Sequence, residues 1–223
     1  SIDDDETYLK GCVSIAVSKP FVALEEGTVC DDFQVDPDMD NNIYVCLGDK
    51  IRILTQETFT QNLVKNDIVP KRTNEFIDNV TRIFYSNDTN LLYCLSPKTH
   101  KIYIFNRYKY VGDPQNASYY GEIGGYGGAV AHTKFNHPND MFVSNAMIGG
   151  KMTDEIWVCD GGNNVIKHYT IKGQWINTID LSLIDYKILG VCVDYKSQVH
   201  VLTQNYVFTY KNTGEIIRIF ELK

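Results

Sequence analysis

Clusters of short strand-like segments recur along this chain of 223 residues, and the repetition restricts its fold more than any other feature. Each cluster contains an apolar–aromatic–apolar run, weaker in the fourth copy, then a polar turn and a second alternating segment. The runs are 42–46, 91–94, 155–159 and 198–202, and the segments after them are 50–54, 101–105, 165–169 and 206–210. Alternation with a period of two is typical of β-strands. The repetition therefore predicts an all-β protein built from similar units.

The spacing of the copies indicates what kind of unit repeats. Measured from Cys46 to Cys94, Cys159 and the equivalent Leu202, the intervals are 48, 65 and 43 residues. Two of them match the ~40–50 residues that a four-stranded propeller blade occupies. The long middle interval contains two predicted insertions, around 107–120 and 144–153. Because one four-stranded sheet cannot bury both of its faces alone, such units are expected to pack face to face around a centre.

The third copy carries the most specific pattern. A glycine-rich stretch at 121–128 leads to Phe135 and Pro138, and an aromatic strand at 156–160 ends in an aspartate before an Asn-rich hairpin. This pattern resembles an NHL repeat, and the match is best over residues 121–180. The resemblance implies a β-propeller of four-stranded blades, with about five to six blades or an incomplete ring.

We expect these blades to form a single domain. Residues 1–30 would supply N-terminal strands that complete or close a blade, and the blades would occupy 31–77, 78–120, 121–185 and 186–223. The strand-like residues 8–24 allow two interpretations, a fifth blade or a strand that closes the ring by pairing with the last one. A third interpretation places further blades outside these 223 residues.

Three of the six cysteines are expected to occupy one position in successive blades: Cys46, Cys94 and Cys159. Equivalent positions in neighbouring blades lie farther apart than the ~7 Å that a disulfide bridges, so these thiols are predicted to be free and buried. Cys192 is expected to be a small buried residue of an inner strand. The sequence leaves open whether Cys12 and Cys30 pair.

Charge and cysteine usage restrict the partners and the location. The net charge of −7 and the pI of about 5.2 make nucleic acid and anionic membrane surfaces unsuitable partners. Without an apolar run of the ~20 residues that span a bilayer, no membrane insertion is expected. Several free thiols favour a cytoplasmic location. Three glycosylation sequons, at Asn79, Asn87 and Asn116, favour the alternative of a secreted or cell-surface protein.

The sequence shows none of the usual motifs for phosphate binding, metalloproteases or serine hydrolases. Its single histidines, among them His168, are interpreted as structural. Pro138-Asn139-Asp140 resembles a short motif of gluconolactonase-type propellers, which implies a hydrolase or lactonase with Ca²⁺ or another divalent ion on the central axis. The candidate metal ligands in this alternative are Asp36, Asn139 and Asp194.

The insertion around 107–120 is the leading candidate for binding, because loops on a rigid scaffold often carry recognition and Tyr and Arg are enriched at interface hot spots. Its candidate contact residues are Arg107, Tyr108, Tyr110, Tyr119 and Tyr120. The second insertion adds Met147 and Met152, whose flexible side chains suit adaptable contacts.

We therefore expect a non-catalytic scaffold that binds a partner protein through loops on one propeller face and needs no cofactor. The metal-dependent hydrolase is one alternative. An extracellular propeller that binds a receptor or a glycan is the other, and it would account for the sequons.

Overall fold

A computed structural model describes the chain over 13–17, 43–48, 51–54, 66–68, 71–72, 75–76, 79–106, 118–148, 150–182, 184 and 186–222. The first sheet consists of β1 (Ser14–Val17), β2 (Ile43–Cys46), β3 (Ile51–Leu54) and β4 (Asn66–Ile68). A two-stranded hairpin follows, made of β5 (Lys71–Arg72) and β6 (Glu75–Phe76). The second sheet consists of β7 (Arg82–Ser86), β8 (Leu91–Ser96), β9 (Lys101–Asn106) and β10 (Ser118–Gly124).

The third sheet consists of β11 (Asp140–Ile148), β12 (Lys151–Asp160), β13 (Val165–Thr170) and β14 (Trp175–Asp180). The fourth consists of β15 (Ile188–Val193), β16 (Gln198–Thr203), β17 (Tyr206–Lys211) and β18 (Ile216–Glu221). Each four-stranded sheet is an antiparallel meander in chain order. The first strands form a continuous row in which β1 contacts β7, β7 contacts β11 and β11 contacts β15. The expected all-β fold is thus confirmed, and within the described ranges no helix is long and apolar enough to cross a membrane.

Four-residue turns join the second and third strands of the central sheets, and their last residue has a left-handed backbone. His100 has φ 58° in the second sheet and Asn164 has φ 53° in the third. Asn90, with φ 54°, ends the turn before β8 in the same way. Because asparagine tolerates positive φ better than most residues, the Asn-rich hairpin predicted from the sequence forms where expected.

The N-terminal strand β1 pairs with β2, with Ser14 opposite Cys46 and Val17 opposite Ile43. It therefore completes the first sheet, and pairing with β18 is not seen among the described strands. Ser14 also joins this sheet to the next one, because its Oγ accepts a hydrogen bond of 3.2 Å from the Ile83 amide. The boundary expected between residues 120 and 121 falls within β10, which continues to Gly124.

Apolar side chains fill the three interfaces between neighbouring sheets. Tyr44 of the first sheet stacks on Tyr85 of the second at 5.1 Å. Tyr93 of the second and Ile156 of the third belong to the next apolar cluster, and both are fully buried. A further apolar cluster lies between the third and fourth sheets. It contains Trp157 of β12 together with Val199 and Val201 of β16. Each inner sheet therefore buries both of its faces, as the repeat pattern requires.

A buried ion pair holds the loop that leads from the second sheet into the third. Lys167 Nζ lies 2.9 Å from Asp160 Oδ2, and both side chains are completely buried. Lys167 also donates to the carbonyl oxygens of Ala131 and Lys134, at 3.1 and 2.5 Å. Asp160 Oδ1 accepts a hydrogen bond of 2.6 Å from the Asn136 amide. Because each charged group is both paired and hydrogen-bonded, the loop is fixed against β12 and β13.

The cysteines at 46, 94 and 159 are free and buried, as predicted. They do not, however, occupy one position in the repeat. In the two inner sheets, Cys159 pairs with the second residue of the following strand and Cys94 with the third. Successive strand residues point to opposite faces, so a one-residue offset sends the thiol into a different interface. Cys94 consequently faces the first sheet, whereas Cys159 faces the fourth.

The prediction that Cys192 is buried is wrong, because the thiol is exposed on the far face of the fourth sheet. On that face Leu202 is 40% and Phe220 is 48% exposed. The register places them at the positions that Cys159 and Ile179 hold in the third sheet, which are 0% and 1% exposed. The fourth sheet covers the third, and no described residues cover the fourth in the same way. The four described sheets therefore form an open ring.

This difference between equivalent positions is measurable. We expect Ile179→Ala to lower the free energy of unfolding by about 2–4 kcal/mol, because it leaves a cavity in a packed interface. Phe220→Ala, at the equivalent exposed position, should cost less than about 1 kcal/mol. Urea unfolding of the two variants and the wild type gives both values. Equal losses would mean that the far face of the fourth sheet is covered in solution.

Candidate functional site

One edge of the four sheets, here called the exit rim, is where the first strands end. In the described chain it includes the β11–β12 hairpin and the turns at 87–90, 171–174, 194–197 and 212–215. The strand β9 ends and β10 begins at the same rim. The opposite edge, where Arg82 of β7 pairs with Asp140 of β11 at 3.0 Å, is here called the entry rim. The described residues that flank or form the two predicted insertions therefore lie at the exit rim.

A groove of about 620 Å³ opens at the exit rim between the third and fourth sheets. Its walls come from β7, β11, β12, the end of β15 and the turns that follow β15 and β17. The lining residues are Phe84, Phe142, Val143, Ser144, Asn145, Ala146, Glu155, Trp157, Val193, Asp194, Tyr195, Ser197 and Asn212. This set combines aromatic rings, small polar side chains and two carboxylates, a composition typical of a recognition site.

Aromatic rings form the inner wall of the groove. Phe84 and Phe142 meet edge to face with their centroids 5.6 Å apart, which joins the second sheet to the third. Trp157 stacks on His168 at 3.6 Å, and its Nε1 donates a hydrogen bond of 3.1 Å to Ser144 Oγ. These contacts hold the rings in fixed orientations, and they leave a preformed apolar surface between the sheets.

Two carboxylates, each beside a histidine, line the groove. Glu155 Oε2 lies 3.0 Å from His168 Nε2, and Asp194 Oδ2 lies 3.3 Å from His200 Nε2. Burial lowers the pKa of His168 below its ordinary range, although Glu155 acts in the other direction. The hydrogen bond from the Gln198 amide is the main cause that lowers the pKa of Asp194. Burial thus favours the neutral form of the His168 imidazole.

The extended hairpin β11–β12 is anchored by a buried carboxylate, Asp154. It accepts hydrogen bonds from Ser86 Oγ at 2.7 Å, Tyr93 OH at 2.5 Å and Asn145 Nδ2 at 3.0 Å, and another from Thr89 Oγ1. Burial and the neighbouring Asp154 raise the pKa of Tyr93, so the phenol stays a donor. The network ties the hairpin to the second sheet and thereby fixes the wall of the groove.

The structure places the predicted binding residues at the exit rim as far as it describes them. Tyr119 and Tyr120 lie near the start of β10 and are 38% and 48% exposed. Met147 and Met152 face each other in the backbone register near the tip of the β11–β12 hairpin, so the second insertion extends two strands. The other three, Arg107, Tyr108 and Tyr110, lie outside the described residues.

The candidate metal ligands are not brought together by the part of the chain that is described. Asn139 lies at the entry rim, where its Nδ2 donates a hydrogen bond of 2.8 Å to Ile188 O at the start of β15. Asp194 follows the other end of β15, roughly 18 Å away at the rise of a β-strand. Asp36 lies outside the described residues. Within the described ranges no group of three or more His, Cys, Asp or Glu residues forms a metal site.

The sequence reasoning missed the site residues Glu155, Trp157 and His168. Two features indicate these residues. The alternation along β12 puts Glu155 and Trp157 on one face, and the register of β12 with β13 sets His168 opposite Trp157. His168, expected to be structural, stacks on Trp157 and lies 3.0 Å from Glu155, and both of these residues line the groove.

Comparison with known proteins places the fold. No family model matches the chain, and no curated protein matches its sequence. Among solved structures it resembles a catalytically inactive variant of virginiamycin B lyase from Staphylococcus aureus, crystallised with quinupristin, with a TM-score of 0.53 and 12% sequence identity. The alignment covers 97% of this chain and 57% of that one, so the chain spans little more than half of the neighbour's length. The fold is that of a β-propeller.

The Asp154 anchor makes a stability prediction. We expect Asp154→Ala to lower the free energy of unfolding by about 2–4 kcal/mol, because several buried donors lose their acceptor together. Asp180→Ala removes an exposed carboxylate that accepts one local hydrogen bond from the Ser182 amide, and should cost about 1 kcal/mol or less. Urea unfolding distinguishes the two variants. Similar losses would contradict the anchoring role of Asp154.

The lowered pKa of His168 predicts a pH dependence. Below the ordinary histidine pKa of about 6.5, the unfolded chain binds a proton that the folded His168 resists, so stability should fall as the pH decreases from about 7.5 to about 5.5. His168→Gln should reduce this dependence, while the other titrating groups contribute equally to both proteins. The midpoint of urea unfolding, measured at each pH for both proteins, gives this pH dependence of stability. The same pH dependence in both proteins would show that His168 does not contribute.

Proposed function

We propose that this propeller is a non-catalytic interaction protein that binds a segment of a partner protein in the groove at the exit rim. The observation that carries the proposal is the groove itself, about 620 Å³ in volume and lined by aromatic, small polar and acidic side chains. A groove of this composition suits a peptide segment, because apolar surface supplies binding energy and polar side chains pair with the peptide backbone.

The rigidity of the walls supports a binding role. Asp154 fixes the β11–β12 hairpin to the second sheet, and Trp157 is held by His168 and Ser144. A site whose walls are ordered before the partner arrives loses less conformational entropy on binding. The groove is thus suited to recognition without a large rearrangement of its walls.

The exposed residues around the groove support a larger contact surface on the same rim. Tyr119 and Tyr120 are exposed at the start of β10, and the tip of the β11–β12 hairpin projects beyond the other strands of its sheet. Tyrosine is among the residues most enriched at interface hot spots. The partner would then contact the hairpin and β10 as well as the groove.

The structural neighbour is named as a lyase, but the likeness at 12% identity concerns the fold. Propellers of one fold serve catalysis and binding alike, so the assignment depends on the site. Each carboxylate of the described lining lies beside a histidine that is not itself a lining residue. This arrangement supplies charge and shape to a ligand, which is what a binding site requires.

A random peptide library displayed on phage tests the proposal. We expect panning against the wild-type protein to enrich peptides that bind at least about tenfold more weakly to Ala146→Trp, because the indole fills the groove. Val130→Trp is the matched control, since Val130 is 89% exposed in the loop at the entry rim. Both variants should unfold at nearly the same midpoint as the wild-type protein, which verifies that they are folded. The proposal fails if no peptide is enriched, or if Ala146→Trp and Val130→Trp bind the enriched peptides equally.

A further inference from the structure

The described lining of the groove is acidic. It includes the carboxylates of Glu155 and Asp194, and no lysine or arginine is among the lining residues. Their side chains are 23% and 26% exposed, so both remain partly accessible to solvent. The chain as a whole carries a net charge of −7. The potential within such a cleft favours a positively charged ligand.

Glu155 is the stronger candidate for a direct contact. Its Oε2 accepts a hydrogen bond from the imidazole of His168, whose neutral form burial favours. Asp194 is more fully engaged, since its Oδ1 accepts hydrogen bonds from the amides of Lys196 and Gln198, both at 2.9 Å, and its Oδ2 faces His200. No lysine or arginine of the described lining pairs with Glu155. A carboxylate in a partly buried cleft binds a cationic donor more strongly than one in open water.

Aromatic rings beside these carboxylates provide the second element of cation recognition. Phe84 and Phe142 form an edge-to-face pair in the wall. At the mouth, Tyr195 is 90% exposed and its ring already carries the ammonium group of Lys196 at 5.3 Å. A planar guanidinium group can stack on a ring while it donates two hydrogen bonds to a carboxylate, which an ammonium group does less well.

We infer that the groove recognises an arginine side chain on the partner segment, with its guanidinium group paired to Glu155 and packed against the aromatic wall of Phe84 and Phe142. The inference rests on the proposed function, since it names the chemistry of the same site. Asp194 adds long-range attraction, and Ser197 is a further polar residue of the described lining. The affinity of such a pair decreases as the salt concentration rises.

Matched peptides test the inference without changing the protein. The most strongly enriched arginine-containing peptide from the library is compared with the same peptide carrying citrulline, the neutral isostere of arginine. We expect the citrulline peptide to bind about tenfold more weakly or worse, the scale of a lost charge-assisted hydrogen bond. Calorimetry measures the affinity. In a Trp175→Phe background, the emission of Trp157 reports occupancy of the groove, because the chain has two tryptophans.

Variants of the protein locate the charge. We expect Glu155→Gln to weaken the arginine peptide about tenfold and to leave the citrulline peptide unchanged, because glutamine keeps the shape and loses the charge. Glu221→Gln is the control, since it removes the same charge from an exposed residue of β18. Unfolding midpoints verify that both variants are folded. Equal affinities of Glu155→Gln and Glu221→Gln for the arginine peptide would overturn the role of Glu155.

The library result separates this inference from the proposed function. Peptides that depend on the groove but show no enrichment of arginine would overturn the inference and leave the proposed function standing. Equal binding of the arginine and citrulline peptides would do the same. A library that returns no groove-dependent peptide would overturn both.

Discussion

Burial of both faces of each inner sheet is the constraint on which the rest of this structure depends. The second and third sheets place fully buried side chains on each face, among them Leu92 and Tyr93 in β8 and Ile156 and Cys159 in β12. Such packing requires sheets stacked side by side with their first strands in a row. The stack in turn creates the rims and the groove between the third and fourth sheets. The geometry of the candidate site is therefore a consequence of how the sheets are packed.

The alternation of a β-strand divides two tasks between neighbouring residues of β12. Asp154 points toward the second sheet, where Ser86, Thr89 and Tyr93 donate to its buried carboxylate, as Asn145 of β11 also does. The adjacent Glu155 points into the groove. One residue fixes the hairpin and the next presents a charge to a ligand. The same alternation sets Trp157 on the face of Glu155. A recognition surface thus arises from residues whose positions the core already determines.

Much of the fold follows from local pattern. The repeated runs and the segments after them predict the second and third strands of all four sheets, and Asn164 adopts the left-handed backbone that its hairpin requires. Asp160 accepts a hydrogen bond from the Asn136 amide and pairs with the buried Lys167. The sequence does not predict this ion pair, because a lysine in an alternating strand is normally solvent-facing. The one-residue offset of Cys94 relative to Cys159 depends on the strand register, which the similar runs do not reveal. Two of the predicted contact residues, Tyr119 and Tyr120, lie at the exit rim, whereas the groove itself was not predicted.

The sequence by itself determined the unit, a four-stranded antiparallel sheet, because strand alternation and turn residues are local properties of the chain. Tertiary structure alone decided which faces are covered. Leu202 and Cys159 occupy equivalent positions in their sheets, and only the packing of the next sheet leaves one exposed and the other buried. The groove has the same origin, since Phe84, Glu155 and Asp194 come from three sheets. Their proximity depends on how separate sheets stack, and no local pattern in the chain records that arrangement.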